Sequence, residues 1–115
     1  MNILVADDCE DAVFMAKRKL SRSGHVVDVA SNGKEALELF AEHPQYYDVI
    51  VLDNNMPILA GLNVLEIMRG LGFNRPVVIY SDADASQEAR ARGGDFVMKD
   101  SHCEGLLSYV CDLAL

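Results

Sequence analysis

A chain of 115 residues, half of them hydrophobic and 24% charged, is long enough for one core, too short for two, and too apolar for a disordered or low-complexity tail. Ten Lys and Arg against 18 Asp and Glu give a formal charge of −8. That balance argues against a nucleic-acid backbone or an anionic membrane surface as direct partner, and suits a cation or a partner with a basic face. No apolar run reaches the roughly 18 to 20 residues of a membrane helix, and Met1–Asp8 lacks the basic start and long apolar stretch of a signal peptide. Cys9, Cys103 and Cys111 are odd in number and lack CxxC spacing, so they read as reduced thiols in or near helices. The expectation is a cytoplasmic protein.

Ile3–Ala6 is a short continuous apolar run, as expected of a strand buried on both faces, and it ends in Asp7-Asp8. Ala12, Val13, Ala16 and Leu20 recur at helical spacing up to about Ser23, with Gly24 as the stop. His25–Ala30 reads as a second strand. Ser31-Asn32-Gly33 opens a helix whose apolar stripe is Ala36, Leu37, Phe40 and Ala41, before Pro44. Asp48–Leu52 is the third strand and ends in Asp53. A loop, Asn54–Ala60, leads to a helix over about Gly61–Leu71 with Leu62, Leu65 and Met68 on one face. Pro76–Tyr80 is a fourth strand ending in Ser81, followed by a short helix over Ser86–Arg92 and the stop Gly93-Gly94. Asp95–Met98 is a fifth strand ending in Lys99, and Cys103–Leu115 a last, brief helix. Five short strands separated by helical crossovers predict a single α/β domain over residues 1–115, a doubly wound parallel sheet.

Four strand runs thus end in a reactive side chain: Asp7-Asp8, Asp53, Ser81 and Lys99. In a parallel sheet these ends share one edge, the edge where ligands bind. Each residue alone has a plain explanation, since Asp commonly caps a helix and a loop Ser or Lys is usually solvated. Together they place three carboxylates, a hydroxyl and an ammonium in one crevice. Clustered carboxylates repel one another unless a cation is present, and hard oxygen ligands suit magnesium, or manganese. Lys99 and Ser81 are then placed to hold phosphoryl oxygens, and one carboxylate to attack phosphorus and form an aspartyl-phosphate. The residues themselves therefore read as a magnesium-dependent phosphoryl site.

Along nearly its whole length the chain resembles a receiver domain of two-component response regulators. The residues that carry the resemblance are Asp7-Asp8; Asn32-Gly33-Lys34-Glu35-Ala36-Leu37; Asp53-Asn54-Asn55-Met56-Pro57 followed by Gly61; Ser81; and Phe96 three residues before Lys99. The resemblance implies a flavodoxin-like fold with strand order 2-1-3-4-5. It implies Asp53 as phosphoacceptor and a magnesium ion held by Asp8, Asp53 and the backbone carbonyl of Asn55, with Asp7 acting through water. It implies Lys99 and Ser81 as phosphoryl ligands, Ser81 and Phe96 as residues that move on phosphorylation, and a phosphohistidine donor on a sensor histidine kinase or histidine phosphotransfer protein. Taken as complete, a chain with no module after Leu115 would signal through a partner or by relaying phosphate. It would not act as an enzyme beyond promoting its own phosphoryl transfer and hydrolysis.

Three positions depart from the family pattern. Asp82 follows the switch serine where Ala or Gly is usual, and either faces solvent or repels an incoming phosphoryl group. Asp100 stands where a cis proline usually follows the lysine; a non-proline cis bond costs about 2.5–4 kcal/mol, so a trans bond and an altered loop are expected. Gly105 is expected to interrupt a short last helix and alter the face it shares with the fourth helix and fifth strand. These departures keep open a second reading, a pseudo-receiver that binds partners but takes up phosphate poorly. A phosphatase with an Asp nucleophile fits less well. Its general acid usually sits two residues after the nucleophile, where this chain has Asn55.

Overall fold

In the computed structural model, which describes residues 1–114, the alternating runs form β1 (Asn2–Ala6), α1 (Glu10–Arg22), β2 (Val26–Ala30), α2 (Gly33–Glu42), β3 (Val49–Leu52), α3 (Gly61–Gly70), β4 (Val77–Ser81), α4 (Ser86–Ala91), β5 (Asp95–Met98) and α5 (Glu104–Leu113). All strand pairs are parallel, and the sheet order is β2-β1-β3-β4-β5. Every element expected from the sequence is present, with ends shifted by one or two residues. No helix among the described residues is long and apolar enough to cross a membrane.

The side-chain period of two divides the strands between two cores. Ile3 and Val5, Val49 and Val51, and Val78 and Tyr80 pack with Ala16 and Leu20 of α1 and with Leu106 and Val110 of α5. Leu4 and Ala6, Ile50 and Leu52, and Val77 and Ile79 face the other way, onto Ala36 and Phe40 of α2, Val64, Leu65 and Met68 of α3, and Ala89 of α4. The three central strands are therefore apolar apart from Asn2 at the start of β1 and Ser81 at the end of β4, because both of their faces are covered.

Two sequence expectations, on Ala41 and Gly105, need correction. Ala41 is exposed, and Phe40, Ala36 and Gly33 make the buried stripe of α2. Gly105 does not interrupt the last helix: α5 runs unbroken through it for 10 residues, as long as α2 and α3, and the short helix is α4 with 6. The expected end of that helix at Leu115 lies outside the described residues. Cys9 and Cys103 occupy helix caps and only Cys111 lies within a helix. All three are free thiols, and Cys103 is the buried one. Peptide bonds are trans throughout the described residues, including that between Lys99 and Asp100.

Gly61 is where the fold leaves no room for a side chain. A Cβ there would stand 2.3 Å from the backbone oxygen of Asp53, so the loop after β3 can fold back only over glycine. Gly61→Ala is expected to lower the stability to chemical denaturation by at least about 2 kcal/mol, the scale of core overpacking. Gly70, at the end of the same helix with open space around it, serves as the contrast. Gly70→Ala is expected to raise stability by about 0.5 kcal/mol through reduced backbone entropy. Equal responses at the two positions would refute the crowding at Gly61.

Candidate functional site

Parallel pairing brings the reactive strand ends together. β1 and β3 pair with Ala6 opposite Leu52, so Asp7 and Asp53 leave the sheet side by side, and the Asp53 amide donates to the Ala6 carbonyl at 2.9 Å. Asp7, Asp8 and Asp53 each offer a carboxylate oxygen, all within 4.8 Å of one another. Asp7 and Asp53 are buried and Asp8 is exposed. At the other end of the sheet β4 and β5 pair with Ser81 opposite Met98, and the next amide, that of Lys99, donates to the Ser81 carbonyl at 2.8 Å. This aims the Lys99 side chain back across the edge. Its Nζ lies 2.7 Å from Asp7 Oδ2 and 3.6 Å from Asp53 Oδ1.

The Asp7 carboxylate is engaged on both oxygens, because Oδ1 also accepts the Cys9 amide at 3.0 Å. That leaves Asp8 and Asp53 as the freer carboxylates. Ser81 Oγ is buried and has no hydrogen-bond partner among the described residues, an arrangement that costs roughly 1–3 kcal/mol unless something bonds to the hydroxyl. Asn55 is exposed, and its backbone amide favours the ionised form of Asp53. Phe96 stands apart: it pairs with Ile79 within the sheet and packs, half-buried, against the core on the α2–α3–α4 side. Asp82 is exposed, yet its charge is felt at Lys99.

Two residues have supporting roles that were not read from the sequence. Asn54 accepts the Leu62 amide at 3.3 Å through Oδ1 and the Gly61 amide at 3.3 Å through its carbonyl, which ties the start of α3 to the residue after Asp53. Asp100 caps α5 with its carboxylate. Asn54 lies eight residues from the amide it caps, beyond the three-residue spacing of a usual capping motif. Asp100 lies three residues before the cap position at Cys103 and likewise falls outside that spacing.

The charges in the site are strongly coupled. Burial first, and then the negative charge of Asp7, push the Asp53 carboxyl up to about 6, while Lys99 and the Asn55 amide pull it back. Burial acts to lower the Lys99 ammonium, but its hydrogen bond to Asp7 and the charges of Asp53, Asp7 and Asp82 outweigh that and raise it. A set of hard oxygens with surplus negative charge, two of the three carboxylates buried, fits a small divalent cation such as magnesium.

A doubly wound parallel sheet whose C-terminal edge carries an acidic cluster, a bridging lysine and an unpartnered hydroxyl defines a class of domain that binds charged ligands at that edge. The family model described as the response regulator receiver domain matches residues 3–110, and the chain belongs to this family. The response regulator MprA of Mycolicibacterium vanbaalenii is 34% identical over 112 residues, which is 94% of this chain and 48% of that protein. MprA of Mycobacterium leprae is 33% identical over 114 residues, 96% of this chain and 49% of that one. The chain thus spans about half the length of the curated relatives it matches. A Francisella response regulator receiver domain superposes with a TM-score of 0.85 at 34% identity, covering 97% of this chain and 94% of that one. A response regulator of Thermotoga maritima, solved in complex with Mg2+ and BeF, superposes with a TM-score of 0.86 at 28% identity, covering 97% of each chain. This is a receiver domain of the two-component response regulator kind, a signalling domain.

The raised Asp53 carboxyl has a consequence for stability. An unfolded aspartate titrates near 3.9, so between roughly pH 4 and 6 the folded chain holds a proton that the unfolded chain has released. Stability therefore falls as pH rises through that window, and above it an ionised Asp53 opposes the metal-free fold. In the presence of a chelator at pH 7.5, Asp53→Asn is expected to raise the thermal midpoint by about 4–10 °C, equivalent to about 1–2 kcal/mol after allowance for solvent screening. The gain should vanish near pH 4. Equal midpoints of the two proteins at pH 7.5 would refute the charge strain at Asp53.

Proposed function

We propose that residues 1–115 act as one phosphoacceptor unit, taking a phosphoryl group on Asp53 from a phosphohistidine of a sensor histidine kinase or histidine phosphotransfer protein and signalling through a changed surface. The observation that carries this reading is the position of Lys99 Nζ, 2.7 Å from Asp7 and 3.6 Å from Asp53, beside three clustered carboxylates. An Asp53 oxygen forms the new bond to phosphorus as the phosphorus–nitrogen bond of the donor breaks, its electron pair leaving on the imidazole. Lys99 is placed to hold one phosphoryl oxygen as a point charge. Ser81 Oγ, buried and unpartnered, is placed to donate to another, which would supply its missing hydrogen bond.

Asp8, Asp53 and the Asn55 carbonyl would hold magnesium, or manganese, directly, and Asp7, already engaged by Lys99 and the Cys9 amide, would act through water. The bound ion would supply positive charge against the phosphoryl oxygens. A hydrogen bond to the Ser81 hydroxyl would draw the end of β4 inward and give Phe96, half-buried in the adjoining β5 opposite Ile79, room to turn. Self-catalysed transfer from small phosphodonors and self-catalysed hydrolysis belong to the same reading. The free thiols suit a reducing compartment, the cytoplasm.

Incubation with acetyl phosphate and magnesium is expected to add one phosphoryl group to the intact mass, and Asp53→Asn to abolish the gain. Labelling that survives in Asp53→Asn would overturn the assignment. Magnesium alone is expected to raise the thermal midpoint, since it binds the folded chain only, and Asp8→Ala to erase most of that rise. An unchanged magnesium response in Asp8→Ala would remove Asp8 from the ligand set.

Asp82 adds like charge where an anionic donor must arrive. Repulsion between unit charges about 6 Å apart is near 1 kcal/mol at an effective dielectric of roughly 50, and about 1.4 kcal/mol is tenfold in rate. Asp82→Ala is therefore expected to speed uptake from acetyl phosphate by a few-fold to about tenfold, with the gain shrinking at high salt. Unchanged rates in both Asp82→Ala and Asp82→Asn would show that the side chain only faces solvent.

A further inference from the structure

Lys99 is carried on the loop between β5 and α5, and a single carboxylate organises that loop. Asp100 Oδ1 accepts the amides of His102 at 3.1 Å and Glu104 at 2.9 Å, and Oδ2 accepts that of Gly105 at 3.0 Å. One side chain thus satisfies two of the amides that open α5, which have no partner within the helix, and one in the turn before it. Cys103, in the cap position itself, makes no side-chain cap bond. The fit is tight, because a Cβ on residue 105 would stand 3.3 Å from Asp100 Oδ2 and 3.2 Å from Val97 Cγ1. The same turn holds Cys103 at φ 55°, a left-handed conformation that is costly for a residue with a β-carbon. The Cys103 side chain is buried in the core that contains Tyr80.

On the other side of Asp100 the chain is anchored to β4, where the Lys99 amide donates to the Ser81 carbonyl at 2.8 Å. The residue that sends its ammonium between Asp7 and Asp53 is therefore fixed to β4 at its own amide and to α5 one residue later. A lysine side chain has four rotatable carbons, so its direction depends on where its backbone is held. The Asp100 carboxylate is exposed and bonds to amides of its own loop, not to the acidic cluster.

We propose that Asp100 is a positioning residue for Lys99: its carboxylate, locked onto the first amides of α5, sets the direction in which Lys99 leaves β5 and so the place of Nζ between Asp7 and Asp53. The kinetic consequence rests on the phosphoacceptor reading above; the structural consequence does not. Misplacement of a charged group by a fraction of an ångström to one ångström costs up to about a hundredfold in rate.

The experiment compares the 115-residue chain with Asp100→Ala, Asp100→Asn, Lys99→Ala and the Asp100→Ala/Lys99→Ala double variant, well below their thermal midpoints. Amide hydrogen exchange and acetyl phosphate uptake with magnesium are measured on each. In Asp100→Ala, exchange at the Lys99 amide is expected to speed up together with that at Glu104 and Gly105, and uptake to slow by about threefold to tenfold. In the Lys99→Ala background the same substitution is expected to add no further loss, as for two residues acting through one group. Asp100→Asn, of the same shape with one acceptor oxygen, is expected to keep the bonds to His102 and Glu104 and lose that to Gly105, so that it shows a smaller share of both effects, and it carries the exchange measurement should Asp100→Ala fail to fold. Wild-type protection at Lys99 alongside loss only at Glu104 and Gly105 would overturn the proposal, as would an undiminished kinetic loss in the Lys99→Ala background. Failure of the unsubstituted chain to take up phosphate would sink the phosphoacceptor reading instead, and exchange at Lys99 would still decide the role of Asp100.

Discussion

The ion pair between Lys99 and Asp7 is the interaction on which the site depends. It joins residues 92 positions apart, from the end of β5 to the end of β1, at 2.7 Å. Without that ammonium the three carboxylates at the edge would have no ion-pair partner among the described residues, with two of them buried. Removing one partner of a buried pair leaves an uncompensated charge, which costs several kcal/mol. The pair also makes the site conditional on the whole sheet, because both strands must be in register before Nζ reaches the carboxylate.

The scaffold divides its tasks between the two edges of the sheet. The C-terminal edge carries the charges. At the opposite edge Arg69 donates to the carbonyls of Phe73 and Arg75, each at 2.7 Å, and of Gly93, at 3.0 and 2.7 Å. One guanidinium thereby ties the connection into β4 to the connection into β5 by satisfying backbone carbonyls that no strand pairs. These two strands end in Ser81 and Lys99, so a clamp at their starts holds the residues at their far ends in relative register. The pleat does the rest: the two faces of β1, β3 and β4 key into separate cores, and a one-residue slip would turn each strand's apolar set onto the wrong one.

The two aspartates that depart from the family pattern have opposite fates, although both are exposed and both adjoin the site. Asp82 has its carboxylate in solvent and acts on Lys99 through charge alone. Asp100 spends its carboxylate on backbone amides, above all those of Gly105 and Glu104, which hold its carboxyl below the ordinary range. Hydrogen bonding to fixed amides favours the ionised form, whereas solvent competes for a free one. The loop after Lys99 thus keeps a defined path through a hydrogen-bonded cap.

The amino-acid sequence by itself determined the number, kind and order of the elements, because apolar runs of four or five residues and stripes at helical spacing act over short range. It also determined that Asp7-Asp8, Asp53, Ser81 and Lys99 end their strands, and hence share an edge once the sheet is parallel. Its local patterns misled where a single residue type outweighed context. Gly105 suggested a break in the last helix, but α5 continues through it, with Asp100 and Val97 leaving little room for a side chain at that position. Only the tertiary structure decided that Lys99 pairs with Asp7 more closely than with Asp53, that the Ser81 hydroxyl has no hydrogen-bond partner among the described residues, and that Asp100 binds the start of α5. Those outcomes depend on strand register and on the depth at which each side chain lies. Register and depth follow from how two cores pack on opposite faces of one sheet, and no stretch of the chain read alone contains both.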